Sequence, residues 1–141
     1  MILKEPTPAT ADAPIRDSVL LVDDERPLLD IYAAALSPYF DLALATTVHE
    51  AESWLREKAF KVVAADHLMP GGNGMELLIR ARRDYPHVQR ILITGYMKPE
   101  MLLRGVTEAA LFRYLLKPVA VAELIKVVQD AVAAGSVPAA R

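Results

Sequence analysis

Cysteine is absent from the 141-residue sequence, and this absence excludes disulfide bonds, thiolate metal ligands and a cysteine nucleophile. Long apolar runs are also absent. No segment approaches the ~20 residues that a membrane-spanning helix needs, and the first residues lack the apolar stretch of a signal peptide. Neither sign of charge dominates, because 16 basic residues are interspersed with 18 acidic ones. These features predict a cytoplasmic domain without a basic surface for nucleic acid or membranes.

Apolar residues, by contrast, make up 53% of the sequence, which is enough for the core of one domain. Proline and alanine are frequent in residues 1–16, and we interpret this segment as a flexible leader. Gly135 and Pro138 interrupt the last helical pattern, so we interpret residues 135–141 as a tail or a truncated linker. The domain itself is expected to span residues 17–134.

Short apolar runs alternate with helical patterns throughout this domain. The runs that predict strands are VLLV (19–22), FDLALA (40–45), KVVAAD (61–66), RILIT (90–94) and LFRYLL (111–116). Helical periodicity predicts helices over 27–36, 48–58, 75–84, 98–110 and 120–134. Because consecutive parallel strands need crossover helices, this alternation predicts an α/β fold with a doubly wound, five-stranded parallel sheet.

Two of the predicted helices carry details that a structure can test. In the second helix, Ala51, Trp54 and Leu55 are expected to face the core. The fourth helix has Gly105 near its middle, which costs ~1 kcal/mol relative to alanine. That helix also has more apolar residues than one buried stripe needs, so some of them are expected to face outward. These residues are Met101, Leu102, Leu103 and Val106.

Polar side chains follow four of the predicted strands. They are Asp23, Asp24 and Glu25 after the first strand, Asp66 at the end of the third, Thr94 at the fourth and Lys117 after the fifth. Gly95 follows Thr94, and Pro118 follows Lys117. In parallel α/β sheets the carboxyl ends of the strands meet at one edge, where ligands bind. Crowded carboxylates raise one another's pKa unless a cation compensates their charge. The sequence therefore indicates a Mg²⁺ site, since Mg²⁺ prefers oxygen ligands, whereas the lack of cysteine argues against zinc.

An aspartate beside a bound metal and a lysine has a specific chemical use. Its carboxylate can attack phosphorus to give an acyl phosphate, while the cations neutralise charge on the transferring group. Each residue taken singly has a simpler interpretation, because a strand-end aspartate is usually a turn or capping residue and Lys117 could be an ordinary exposed lysine. The combination at neighbouring strand ends favours the chemical interpretation.

Four segments resemble the receiver domain of two-component response regulators over about residues 17–134. They are LLVDDE (20–25), DHLMPGGNGMELL (66–78), ILITGY (91–96) and YLLKPV (114–119). The resemblance implies a flavodoxin-like fold with strand order 2-1-3-4-5. It implies a signalling domain that accepts a phosphoryl group from a histidine kinase or a phosphotransfer protein. Such a domain catalyses its own phosphorylation and dephosphorylation but turns over no free metabolite.

The resemblance also assigns roles at the strand ends. Asp66 would be the phosphoacceptor, and Lys117 would pair with the phosphoryl oxygens. Asp24 and Asp66 would bind Mg²⁺ through their carboxylates, Leu68 through its backbone carbonyl and Asp23 through a water. In this interpretation the glycine-rich loop after Asp66 bends to offer that carbonyl to the metal. An Asn at the loop position that is often Asp in the family is expected to matter little.

The same resemblance implies a switch and an output surface. Thr94 would be the hydroxyl that moves to the phosphoryl group, and Tyr114 the aromatic that rotates inward behind it. The surface they control would consist of the fourth helix (98–110), the fifth strand (111–116) and the fifth helix (120–134). We expect it to contact an output domain or a separate downstream protein, and also to support a homodimer.

Leu68 and Tyr96 lie two positions after the acceptor and after the switch threonine. An apolar Leu68 cannot orient an attacking water, and Tyr96 is expected to shield the site. These residues predict a phosphoaspartate that hydrolyses slowly.

Two alternatives remain open at this stage. The first is a receiver-like interaction module that works without phosphorylation, although such modules usually lose at least one site residue and this chain has all of them. The second is a Mg²⁺-dependent phosphohydrolase with an aspartyl nucleophile. That enzyme needs a second acid two residues after the nucleophile, where this chain has Leu68, and a cap over its substrate.

Overall fold

The computed structural model of the protein describes residues 16–69, 71–96 and 98–136. Its central sheet consists of parallel strands. They are β1 (Ser18–Val22), β2 (Asp41–Ala45), β3 (Val62–Asp66), β4 (Gln89–Thr94) and β5 (Arg113–Leu116). Their spatial order, β2-β1-β3-β4-β5, confirms the predicted order 2-1-3-4-5. The leader and tail stay predictions, because residues 1–15 and 137–141 lie outside the described part.

Helices in the described part of the chain follow each strand. They are α1 (Arg26–Leu36), α2 (Val48–Glu57), α3 (Gly74–Asp84), α4 (Pro99–Arg104) and α5 (Val121–Ser136). Their number and positions confirm the predicted alternation of strands and helices. Within the described ranges, no helix is long and apolar enough to cross a membrane.

Two helix ends differ from the predictions. The fourth helix is α-helical only to Arg104, after which Gly105–Ala109 forms a π-helical turn. The amide of Ala110 donates to the carbonyl of Gly105, which is the five-residue spacing of a π-helix, and the amide of Leu111 donates to the same carbonyl at 3.0 Å. The prediction that the last helix breaks at Gly135 is wrong, because α5 continues to Ser136. One glycine lowers helix stability by only ~1 kcal/mol, and the packing of α5 against the sheet offsets that cost.

The core forms two halves, one on each face of the sheet. One half joins the sheet to α2, α3 and the π-helical turn, and the other joins it to α1 and α5. Alternate residues of β1 supply the two halves, with Leu20 in the first and Leu21 in the second. All residues of β3 are buried, as expected for a central strand that is covered on both faces.

Trp54 corrects one prediction about the core. Its neighbours Ala51 and Leu55 are buried as predicted, but Trp54 is 36% exposed. The indole Nε1 donates to the backbone carbonyl of Leu44 at 3.1 Å. Because a buried indole N–H needs a hydrogen-bond partner, Trp54 lies at the rim of the core beside a strand carbonyl.

Candidate functional site

The acidic residues after β1 and β3 converge at the carboxyl edge of the sheet. One carboxylate oxygen from each of Asp23, Asp24 and Asp66 lies within 4.8 Å of the others. The Nζ of Lys117 lies 3.1 Å from Asp23 Oδ2 and 3.4 Å from Asp66 Oδ1. The parallel topology thus brings together residues that are 94 positions apart in sequence, as the strand-end pattern predicts.

Asp23 is fixed at the end of β1 by the neighbouring backbone. Its own amide donates to the carbonyl of Ala45 at 3.1 Å, which extends the β1–β2 pairing by one residue. Its Oδ1 accepts from the amide of Glu25 at 2.9 Å. Asp23 is buried, so its carboxylate is held in one orientation beside Lys117.

Asp66 ends the most deeply buried strand of the sheet. Its Oδ1 accepts from the amide of His67 at 2.9 Å, and the Lys117 ammonium lies beside the same oxygen. Burial, and next the negative charge of Asp23, raise the pKa of Asp66 to about 6, although Lys117 acts in the opposite direction. A further cation beside this carboxyl group would therefore stabilise its ionised form.

Lys117 is presented to both acids by the loop after β5. Its amide donates to the carbonyl of Thr94 at 2.8 Å, and a cis peptide bond joins it to Pro118. Burial alone would lower the pKa of Lys117, but the hydrogen bond to Asp23 and the charge of Asp66 outweigh burial and raise the pKa. Lys117 is therefore a stable ammonium at neutral pH.

The donor set fits a hard divalent cation. The clustered ligand atoms are all carboxylate oxygens, with Asp23 and Asp66 buried and Asp24 nearer to solvent. Lys117 balances one of the three negative charges. A cation such as Mg²⁺ would balance the excess negative charge, with Asp23, Asp24 and Asp66 as the residues that would hold it.

A short hairpin that the sequence does not predict shapes the loop after Asp66. Leu68–Met69 pairs antiparallel with Gly72–Asn73, and Gly71 makes the turn with a φ of +75°, a conformation that favours glycine. Leu68, the predicted carbonyl ligand, begins this hairpin two residues after Asp66. The bend is therefore a defined turn and not merely a flexible stretch.

Asn73 and Gly74 connect this hairpin to α3. The Asn73 side chain caps the helix by accepting from the amides of Met75 at 2.7 Å and Glu76 at 3.3 Å. A cap of this kind contributes ~1 kcal/mol. Since Asn and Asp cap helices about equally well, the expectation that Asn in place of Asp matters little stays a prediction. An Asn directly before a helical pattern was the available signal. A Cβ at Gly74 would lie 1.8 Å from the carbonyl oxygen of Asp66, so only glycine fits.

The two predicted switch residues are placed differently from each other. Thr94 is buried at the end of β4, where its Oγ1 donates to the carbonyl of Tyr96 at 2.9 Å and accepts from the Tyr96 amide at 3.2 Å. Its hydroxyl is thus held by the following loop. Tyr114 lies on β5 with its side chain partly exposed. The two residues thus lie on neighbouring strands, with Thr94 at the carboxyl end of β4 and Tyr114 within β5.

Exposed apolar side chains cover the surface predicted for output. Leu103 and Val106 are 62% and 64% exposed, which confirms that part of the fourth helix faces outward. Leu116 and Val121 continue the apolar surface onto β5 and α5. We call the surface formed by α4, β5 and α5 the α4–β5–α5 face.

Known proteins resemble the chain in sequence. The model of a family described as response regulator receiver domain matches residues 19–129. The hydrogenase transcriptional regulatory protein HoxA of Cupriavidus necator is 36% identical over 83% of this chain and 24% of HoxA. The response regulator protein PilR of Pseudomonas aeruginosa is 29% identical over 82% of this chain and 26% of PilR. The chain therefore spans about a quarter of the length of these relatives.

Solved structures share the fold. The signal receiver domain of an HD domain-containing protein from Pseudomonas fluorescens has a TM-score of 0.81 and 29% identity, covering 85% of this chain and 97% of that one. A CheY-like response regulator receiver domain protein from Methanospirillum hungatei has a TM-score of 0.81 and 25% identity, covering 85% of this chain and 96% of that one.

Proposed function

Because the chain belongs to the receiver-domain family of two-component response regulators, we propose that Asp66 is the residue that accepts the phosphoryl group. The donor would be a histidine kinase or a phosphotransfer protein. The observation that carries this proposal is the convergence of Asp23, Asp24 and Lys117 on the buried carboxylate of Asp66. In this arrangement the acceptor carboxylate is fixed, and the Lys117 ammonium lies beside the oxygen that would attack.

The proposed transfer is a displacement at phosphorus. A carboxylate oxygen of Asp66 forms a bond to phosphorus while the bond to the donor nitrogen breaks, and the donor imidazole leaves with that electron pair. Asp66 must be ionised to attack, and Lys117 beside it favours the ionised form. The Lys117 ammonium then pairs with the incoming phosphoryl oxygens. Mg²⁺, when bound, would supply further charge neutralisation, with Asp24, Asp66, the Leu68 carbonyl and a water on Asp23 as its ligands.

The proposed switch starts from the resting hydrogen bonds of Thr94. To reach a phosphoryl group on Asp66, its hydroxyl must leave Tyr96. Tyr114 would then turn inward. A groove of about 260 Å³ lies beside Tyr114, lined also by Lys98, Pro99, Leu102 and Leu116. Movement in this groove would change the α4–β5–α5 face.

The proposed partners are those that would bind the α4–β5–α5 face. We propose that it contacts an output domain or a separate downstream protein, and that it supports a homodimer. The relatives are named as transcriptional regulators, and for this chain a link to such an output is part of the proposal. The proposed location is the cytoplasm, where kinases of this kind deliver phosphoryl groups.

The first test is intact mass after incubation with acetyl phosphate, with and without Mg²⁺. The parent protein should gain the mass of one phosphoryl group only with Mg²⁺, and Asp66→Asn should gain none. Asp30→Asn is the matched control, because Asp30 is an exposed aspartate on α1 that pairs with Arg26; it should behave as the parent does.

Failure with acetyl phosphate calls for the same measurement with phosphorylated histidine kinases as donors. No modification by either donor would favour the alternative of an interaction module that works without phosphorylation. Steady release of phosphate from small phosphate esters would instead favour the phosphohydrolase.

A further inference from the structure

The segment after β4 consists of α4 and the π-helical turn, and these two parts differ in how deeply their side chains are buried. In α4 no side chain is buried. In the π-helical turn that follows, Gly105 and Ala109 are both buried, and Ala109 is completely so. The first part of the segment therefore has little packing to hold it in place, whereas the second part belongs to the core.

Two arginines hold the carbonyl end of this turn. Arg90, on β4, donates from Nε to the carbonyl of Ala109 at 2.6 Å and from Nη2 to that of Ala110 at 3.2 Å. Arg82, on α3, donates from Nη1 to the carbonyls of Thr107 at 2.9 Å and Glu108 at 3.2 Å. The last carbonyls of a helix lack intrahelical partners and carry partial negative charge, so guanidinium groups are suited to hold them.

Arg90 is unusual because it is only 7% exposed. Its Nη1 also donates to the carbonyl of Val88 at 2.6 Å. Burial, and next the charge of Arg82, lower the pKa of Arg90. Two like charges are thus brought to the same helix end despite their repulsion and the cost of desolvation. The backbone carbonyls that they bind offset this cost, and the turn is tied to both β4 and α3.

Backbone hydrogen bonds also hold the end of the π-helical turn. We call these bonds, together with those from Arg82 and Arg90, the anchor. The amide of Phe112 donates to the carbonyl of Arg90 at 2.7 Å, and that of Leu111 to the carbonyl of Gly105 at 3.0 Å. Ala110, directly before Leu111, has a φ of 46°, an uncommon conformation for a residue other than glycine. The chain is therefore held in a single path from the turn into β5.

The first part of the segment is joined to α3 more weakly. Arg104 pairs with Glu76 at 2.8 Å, with both side chains more than 40% exposed. An ion pair at such an exposed position contributes little to stability. Gly105 lies at the junction of the two parts, where a Cβ would lie 2.7 Å from Leu111 Cδ1.

We propose that Arg82 and Arg90 are positioning residues that fix the end of this segment during signalling. When Asp66 is phosphorylated, residues 98–104 move about Gly105 while the π-helical turn stays in place. The trigger of this movement rests on the proposed function. The anchor itself exists without phosphorylation and can be tested separately.

The movement can be measured with spin labels because the chain has no cysteine of its own. Leu103→Cys and Val106→Cys are a matched pair, since both positions are equally exposed on consecutive turns. Each is combined with Glu57→Cys, an exposed reference at the end of α2. On addition of Mg²⁺ and beryllofluoride, the distance to position 103 should change by more than ~2 Å, and that to position 106 should not. Equal changes at both positions, or no change at either in beryllofluoride-loaded protein, would overturn the proposal.

Removal of one arginine tests its role directly. In an Arg82→Ala background the distance to position 106 should also change on addition of beryllofluoride. Arg83→Ala is the matched control, because Arg83 is an exposed neighbour on α3 that pairs only with Asp84 among its described ion pairs. If Arg82→Ala responds as the Arg83→Ala control does, Arg82 has no positioning role.

Hydrogen exchange in the unphosphorylated protein separates this proposal from the proposed function. Without Arg82, the amides of Ala110 and Leu111 should exchange about fivefold to tenfold faster, and the Arg83→Ala control should match the parent. Unchanged exchange would refute the anchor. Protein that shows this anchor but takes up no phosphoryl group would instead refute the proposed function alone.

Discussion

At the scale of single residues, the environment of Asp66 disfavours the ionised form of its carboxyl group. Burial and the nearby Asp23 favour the protonated acid, and one lysine compensates only in part. Such an arrangement lowers the stability of the protein when Asp66 is ionised. Strongly shifted pKa values of this kind are frequent at functional sites, which supports the proposed role of Asp66.

This cost gives a prediction about stability and pH. The pKa of Asp66 is raised from 3.8 to about 6 on folding, so between these values the folded protein binds more protons than the unfolded chain. The contribution of Asp66 to stability therefore falls as pH rises through this range. At pH 7 without Mg²⁺, Asp66→Asn should increase the free energy of unfolding by ~1–3 kcal/mol. Denaturant unfolding at pH 7 and near pH 4 measures this difference, which should shrink at the lower pH.

Two further conditions sharpen the measurement. Mg²⁺ should reduce the difference at pH 7, because it stabilises the ionised parent and finds a weaker site in the variant. Asp30→Asn, at an exposed position, should change stability equally at both pH values. A variant Asp66→Asn that is less stable than the parent at pH 7 would show that the site carries no such cost.

Leu68 gives a second prediction at this scale. Its side chain is 67% exposed beside the acceptor and has no group that could orient a water for attack on the phosphoaspartate. We expect slow hydrolysis in the parent and at least ~tenfold faster loss of the phosphoryl group in Leu68→Asn. Intact mass, followed in time after removal of acetyl phosphate, measures both rates. Leu103→Asn replaces a similarly exposed leucine away from the site and should leave the rate unchanged, while a rate unaffected by Leu68→Asn would contradict the hypothesis.

At the scale of elements, the sequence predicts what local periodicity determines. The strands and the starts of the helices lie where the patterns place them, because apolar spacing and residues such as Pro27 at the start of α1 act locally. The π-helical turn could not be predicted, since it depends on Arg82 and Arg90 from two other elements. The rim position of Trp54 likewise depends on a carbonyl of β2.

The loop between β3 and α3 gives a prediction at this scale. A Cβ on Gly74 would meet the Asp66 carbonyl, a backbone atom that cannot move without distorting β3. We expect Gly74→Ala to lower the free energy of unfolding by about 3 kcal/mol or more. Gly95→Ala is the control, because a Cβ there has no neighbour within 4 Å, and it should change stability by less than ~0.5 kcal/mol. Equal stability of the two variants, measured by denaturant unfolding, would contradict this account of the loop.

At the scale of the whole molecule, the topology explains why a sequence pattern could predict the site. Acids after β1 and β3 and a lysine after β5 are distant in sequence, but parallel strands bring their carboxyl ends to one edge. The strand order therefore predicts which residues lie together in the site. The hydrogen bonds of Thr94 to Tyr96 do not follow from it, because they depend on the path of the next loop. For the same reason, the sequence indicates Thr94 as a candidate switch residue but does not predict which groups its hydroxyl binds.

The central claim, that Asp66 carries the phosphoryl group, is tested most directly by locating the modified residue. Borohydride reduces an acyl phosphate and converts phosphoaspartate to homoserine, which peptide mass spectrometry can place in the sequence. After incubation with a phosphodonor and Mg²⁺, we predict homoserine at position 66 and at no other aspartate. Homoserine at Asp23 or Asp24, or none in protein whose intact mass shows a phosphoryl group, would contradict the account.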